Sequence, residues 1–458
     1  MGILSTLSSA RSGLNAASVA LDAASNNVSN ASTEGYSRRS VRLQSSDPIQ
    51  VGSNWRGTGV SVAGVDRAQD VFVTRQLVAS TGNQAEAESE YEVLFLSESW
   101  FNDVEIDGLP TMLQGIYDSL TQATQDPSDE TLRREVANSS LTFATSVSRT
   151  AESLVDLQAQ VQDRMSGELT EANQRIQNIA DLNRAVIASQ GNAADLLDQR
   201  DIQISALAEQ IGVDFHLEED GSATILLGGH TLVNGVEGRT LSVEHQAGES
   251  SFYLSLDDGR TGVSGELGGA LGGMATALSR IEGYLGDLDL FVQELSTQFN
   301  DQHALGFDSS GAAGVDWFQT TGGSAHLAES FTFNQTLLDD PSLLAFAADA
   351  SAAAGDGENL RVMLEMESGD AFSGTMSGEE TLLNLLSEVG GDTASARRVS
   401  EQQGVVLNDL QGLRDAISGV DLDEEAANLI EFQASYQAAA KVLRVSSELF
   451  DTLMDAVR

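Results

Sequence analysis

The chain has 458 residues, with 69 Asp/Glu against 24 Lys/Arg and a net charge of −45. A surface that negative repels phosphate backbones and anionic bilayers, which argues against nucleic acid and membrane as partners. Without a single cysteine, disulfides, thiolate metal sites and cysteine nucleophiles are excluded.

The remaining composition, 41% hydrophobic and 20% charged, is an ordinary globular mix, long enough for about two to four domains. The acidity suits a salty medium that screens self-repulsion.

At the N-terminus Ile3, Leu7, Ala10, Leu14, Ala17, Leu21, Ala24, Val28 and Ala31 alternate in steps of three and four, the stripe of an amphipathic helix. Polar residues interrupt it throughout, so it lacks the basic start and continuous apolar core of a secretory signal. No run approaches the ~18–20 apolar residues of a membrane span. If exported, the chain leaves by a route that cleaves no signal peptide.

Gly35 is a suitable helix terminator. Residues 41–73 alternate Val with Gly, Ser and Thr and read as short strands. Helices are expected from Gln69 to about Ser99 and over Met112–Thr124. The longest begins at Asp126-Pro127-Ser128-Asp129-Glu130, runs to about Ser189 and stops at Gly191-Asn192. A further helix covers Ala194–Ile211. Long helices joined by short turns argue for an extended bundle.

From Gly212 to Gly265 the period drops to two. Turns at Glu219-Asp220-Gly221, Gly228-Gly229 and Asp257-Asp258-Gly259 suggest one small antiparallel sheet. Helix resumes over Glu266–His303. The Gly-, Ala- and Ser-rich stretch 306–374 holds mixed short elements, and helices return from Glu379 through Thr393–Ser418.

The last 38 residues repeat the heptad: Leu422, Ala426, Leu429, Gln433, Tyr436, Ala440, Leu443, Ser447, Phe450, Met454 and Val457. Asp421 and Glu424 have capping-box spacing. The two terminal stripes are natural partners, since a lone amphipathic helix is weakly ordered until its stripe is packed. Periodicity alone is met equally by surface helices on a globular core.

The fold class expected is therefore mainly α with β insertions. A terminal coiled-coil domain (1–40 and 419–458) joins an elongated helical bundle (41–210, 265–305 and 375–418) with a strand-rich part at 41–73. A small β-rich insertion (211–264) and a mixed outer insertion (306–374) complete it.

No catalytic constellation is present. His216, His230, His245, His303 and His326 are scattered, without an i,i+4 pair, and read as surface or loop residues. Gly268–Gly273 lacks the Gly-Lys-Ser/Thr ending of a phosphate loop and reads as close helix packing or a soft helix start. Asp308–Asp316 hints at a calcium loop, but Ala313 and Gln319 stand where an EF-hand needs Gly and Glu. The pairs Glu218-Glu219 and Asp339-Asp340 lie in turns where nothing raises a pKa, and there is no G-x-S-x-G elbow. No enzyme activity and no cofactor are expected.

Two end segments carry a resemblance. Ala20–Asn30, followed by Thr33-Glu34-Gly35-Tyr36-Ser37-Arg38, resembles the N-terminal signature of the bacterial flagellar rod, hook and hook-associated axial proteins. Asp421–Ile430 with Phe432-Gln433 and Tyr436-Gln437-Ala438, and the interior blocks Leu196–Asp201, Phe299–His303 and Gly306-Phe307-Asp308, are similar to the hook-associated branch at the hook–filament junction. Arg39, where Gln is commoner, and Ala31-Ser32 depart from the signature; 211–264 and 306–374 carry no match.

The resemblance implies a structural junction adaptor, exported through the flagellar channel, whose terminal helices order on assembly. The implied partners are copies of itself, the hook protein, the next junction protein and an export chaperone on the C-terminal helix. Candidate interface residues are Leu7, Leu14, Leu21, Asn26, Asn27, Asn30, Gly35 and Tyr36, with Leu429, Tyr436, Leu443 and Phe450 as the helix-in-groove stripe for the chaperone. The alternatives are another flagellar axial component or, from a different class, a secreted acidic adhesin or enzyme-bearing stalk.

Overall fold

A computed structural model describes the whole chain except residues 1, 52–53, 102–107, 190–192, 247–248, 257–258, 321, 352, 354, 369–375 and 458. The expected stop at Gly191-Asn192, the turn at Asp257-Asp258 and the boundary at 374–375 lie outside the described residues, as do the side chains of Ile3 and Val457.

The order of elements is α1 (Gly2–Asn30), β1 (Arg39–Ser45), β2 (Ile49–Val51), β3 (Asn54–Arg56), β4 (Val60–Arg67), α2 (Val71–Phe101), α3 (Leu109–Ala123), α4 (Glu130–Ala188) and α5 (Ala194–Ile211). Seven strands follow: β5 (Asp214–Leu217), β6 (Ala223–Leu227), β7 (His230–Asn234), β8 (Glu237–Gly238), β9 (Leu241–Gln246), β10 (Glu249–Leu256) and β11 (Gly259–Gly262). Then come α6 (Gly269–Leu305), β12 (Phe318–Thr320), β13 (Phe331–Phe333), α7 (Gln335–Asp339), α8 (Glu358–Glu365), α9 (Gly378–Ser418) and α10 (Leu422–Val457). The fold is mainly helical with small antiparallel sheets.

Two compact units share these elements. Unit 1 holds residues 1–84, 171–240 and 403–458, and unit 2 holds 85–170 and 241–402. Helices α2, α4 and α9 contribute to both.

In unit 1, α1 packs on α10 and carries the β1–β4 ribbon on its flank. Chain order β5-β6-β7-β8 gives a four-stranded meander. Asn183 of α4 ties it down: its amide donates to the carbonyls of Ala223 and Gly235 (2.8 and 2.7 Å) and its Oδ1 accepts from Ala223 N–H. A buried side-chain amide can replace missing ladder bonds in this way without leaving an orphaned donor.

Unit 2 is built around aromatic side chains. Phe299 of α6 lies 5.7 Å from Trp317 and 5.4 Å from Phe318 between ring centroids, and Phe318 stands 4.8 Å from Phe331. Edge and tilted contacts of this kind fill a core with few rotatable bonds.

The structure changes several expectations. The one sheet expected over 211–264 is two, β5–β8 in unit 1 and β9–β11 (order β11-β10-β9) in unit 2, because Leu241 begins a separate three-stranded sheet. His303 is a core residue, fully buried: its Nδ1–H donates to the Val315 carbonyl, and Nε2 accepts from Ala345 N–H at 2.7 Å. Burial pushes its pKa down to about 4, so the ring is a neutral strut for the 306–374 segment. Single-residue reading missed it because an isolated His in sequence carries no sign of its depth.

Asp308 is buried too, and its Oδ1 accepts from Ser310 N–H, Ser310 O–H and Ala312 N–H at 2.7, 2.7 and 2.9 Å. The carboxylate closes a turn. Gly273 meets the Glu86 backbone of α2 so closely that a Cβ would stand 2.0 Å from its carbonyl oxygen, which places the glycine run in helix–helix packing.

Candidate assembly interface

Small side chains fill the two packed faces of α1, one against α10 and one against the β1–β4 ribbon. Ala10, Ala16, Ala17, Ala20, Ala23 and Ala24 of α1 are buried, while Leu7, Leu14 and Leu21 are half-buried at its edge. Across from them, Leu429 and Leu443 of α10 are half-buried, and Tyr436 and Phe450 remain 38% and 37% exposed. The expected seam is off by one residue at Ala426, Gln433 and Ser447, while Ala440 is half-buried as expected. Leu422, Ala426, Gln433, Ser447 and Met454 face solvent, whereas Glu425, Phe432, Ala439 and Ser446 turn inward between Leu429, Tyr436 and Leu443. The approach is close at Gly13 of α1, where an added Cβ would meet Ala439 at 3.9 Å.

A second apolar line is left over on α10. Ala434, Ala438, Val442, Val445 and Leu449 step by four and three, and all are exposed. The spacing stands in the sequence, but the more regular Leu/Tyr/Phe heptad masks it.

The chain leaves α1 through a clamp. Asn27 is buried; its Nδ2 donates to the Arg39 carbonyl, and its Oδ1 accepts from Arg39 N–H and the Tyr36 hydroxyl, at 2.9, 2.9 and 2.8 Å. Burial holds the Tyr36 phenol above its ordinary pKa, so it stays a donor. Gly35 has φ +76°, and a Cβ there would also strike Ile202 of α5 at 2.5 Å. Asn26 and Asn30 behave differently, each bonding the carbonyl one turn earlier, of Asp22 and Asn26.

Just beyond, Arg38 N–H donates to the Ser418 carbonyl at 2.8 Å and its guanidinium to Glu424 at 2.9 Å. Asp421 caps α10 by accepting from Asp423 N–H at 2.8 Å. Glu424 thus serves Arg38 instead of closing a capping box. An open polar cavity of about 700 Å³ lies at this turn, lined among others by Asn30, Tyr36, Arg38, Arg414 and Asp421.

The Leu196–Asp201 block has no evident task in the sequence. In the fold, Asp198 and Asp201 of α5 collect the two arginines at the base of the ribbon. Arg67 lies 2.9 Å from Asp198 and 2.7 Å from Asp201; Arg39 reaches Asp195 and approaches Asp198 at 3.8 Å. Burial raises the Asp198 carboxyl, and the Arg67 and Arg39 guanidiniums pull it back. Arg200, buried beside them, donates to the Gly221 carbonyl at 2.6 Å. Buried charges persist only when paired, so α5 and the ribbon are ordered together.

Among the described residues no group of three or more His, Asp or Glu is placed to hold a metal ion, and no helix is long and apolar enough to cross a membrane. The arrangement binds helices and ribbons.

Residues 97–318 match the family described as flagellar hook-associated protein FlgK helical domain. Residues 415–456 match flagellar basal body rod FlgEFG protein C-terminal, and 7–36 match flagella basal body rod protein. The chain is 27% identical to flagellar hook-associated protein 1 of Escherichia coli (strain K12), over 98% of this chain and 99% of that protein. It is also 27% identical to that of Bacillus subtilis (strain 168), over 98% of each. A solved structure of the flagellar hook junction protein FlgK from Burkholderia pseudomallei shares the fold, with TM-score 0.64 and 15% identity over 75% of this chain and all of that one.

Proposed function

We propose that the chain, similar over 98% of its length to flagellar hook-associated protein 1, is a structural subunit of the bacterial flagellum at the hook–filament junction. The supporting observation is the α1–α10 pair: both terminal helices match axial-protein families, and pairing them still leaves an apolar line of α10 in water. That line marks a surface completed by other subunits. The neighbours on either side are the hook protein and the next junction protein.

Before assembly, Leu429, Tyr436, Leu443 and Phe450 form the stripe for an export chaperone. Two of these four are half-buried toward α1, so chaperone and α1 compete for one face, and α1 docks only after release.

Deleting Asp421–Arg458 tests the reading. Cells carrying the truncation are expected to lose swimming and to shed filament subunits into the medium. Normal swimming would refute the assignment. As a milder arm, Leu443→Asp with Phe450→Asp changes the urea midpoint of the purified chain little, since neither side chain is fully buried, but abolishes motility.

A further inference from the structure

Charge is distributed very unevenly along this chain. Residues 38–67 hold Arg38, Arg39, Arg42, Arg56 and Arg67 against only Asp47 and Asp66; the remaining residues hold 19 basic and 67 acidic side chains. This cationic stretch is the β1–β4 ribbon and the β2–β3 hairpin at its end. The hairpin pairs Ile49 with Arg56 and Gln50 with Trp55. Trp55 is 66% and Ile49 48% exposed; Arg38, Arg39 and Arg67 are held in the ion pairs described above, whereas Arg56 and Arg42, the latter 3.4 Å from Asp66 in an exposed pair, face solvent. Two strands of three residues each are marginal in water when bare, and a tryptophan so exposed is far from its usual place.

Unit 2 offers the complementary surface, with 43 acidic against 9 basic side chains. On α2, Glu88, Glu92 and Phe95 share one face at helical spacing, with Phe95 54% exposed and Glu92 3.3 Å from Arg164; Trp100, 51% exposed, follows at the end of the helix, off that face. We infer that the Trp55-tipped hairpin of one copy docks on this acidic, aromatic face of α2 in a second copy. The inference rests on the self-assembling role proposed above. Arg56, and Arg42 on exchanging its exposed pair with Asp66, meet the carboxylates, and Trp55 packs on Phe95 as an interface anchor.

The test replaces Trp55 with the photo-crosslinking residue p-benzoylphenylalanine in the full chain, in flagellated cells. Irradiation is expected to give a dimer of this chain, with the adduct on a peptide from residues 85–170 of the second copy. Arg42→Glu with Arg56→Glu should cut that dimer roughly tenfold, and adding Glu88→Arg with Glu92→Arg should restore it. An adduct to a different protein, a dimer joined elsewhere, or no adduct from chain present in purified flagella overturns the inference while leaving the proposed function intact. Absence of the chain from flagella overturns both. Unchanged far-UV circular dichroism of the charge-reversed chain is expected, because both arginines are solvent-exposed. If that signal is lost together with the dimer, the charge-swapped chain decides, and its failure to regain the dimer counts against the docking.

Discussion

The packed faces of α1 in unit 1, against α10 and the ribbon, are lined by Ala10, Ala16, Ala17, Ala20, Ala23 and Ala24, whereas Phe143, Phe291, Phe299, Trp317, Phe318, Phe331 and Phe333 fill unit 2. Burying an aromatic ring is worth roughly 1.5–3 kcal/mol, and an alanine methyl far less, near the ~0.8 kcal/mol of one carbon. Unit 2 therefore carries a self-sufficient core, and the terminal pair does not. Charge follows the same division: 15 basic against 26 acidic residues in unit 1, and 9 against 43 in unit 2. Unit 2, at net −34, repels strongly, whereas unit 1, at net −11, is the less acidic region and carries the thinly packed terminal pair. A protein that must join neighbours gains from keeping these properties apart, since a seam too strong in the monomer would compete with assembly.

The sharpest way to break this comparison is Phe299→Ala. The ring is fully buried among Tyr117, Trp317 and Phe318, and its loss should cost about 3–5 kcal/mol. The urea midpoint of the second unit should fall accordingly, and a loss under about 1 kcal/mol contradicts a core of this kind.

Next comes the pH response of His303. The folded ring resists protonation until about pH 4, while the unfolded ring takes a proton near 6.5. Stability should be complete above about 6.5 and decline as the pH falls through that window, by on the order of 3 kcal/mol at its foot. His303→Gln, weaker at neutral pH, should show a flatter profile between pH 6.5 and 4 than the wild-type chain. A wild-type profile no steeper than the variant's rules the mechanism out.

Smallest and most local is Asn27→Ala. It strands Arg39 N–H and the Tyr36 hydroxyl at a cost of about 1–3 kcal/mol, confined to the α1–ribbon junction. Hydrogen exchange at the Arg39 amide should quicken while α6 is unaffected; equal quickening in both would mean the two units do not differ as described.

Periodicity and turn chemistry in the sequence determined most elements outright. α4 begins at Glu130, after the Asp126–Asp129 break, and α5 covers Ala194–Ile211, because helix stripes and stops are local properties of the chain. The absence of cysteine likewise follows from the residues alone.

Tertiary structure alone decided which face of α10 meets α1, since a helix with two apolar lines can pack by either. It also turned His303 from a surface residue into a core strut, and gave Asp198 and Asp201 the task of holding Arg39 and Arg67. Each depends on groups more than a hundred positions apart or on depth below the surface, and neither distance nor depth is written in local spacing.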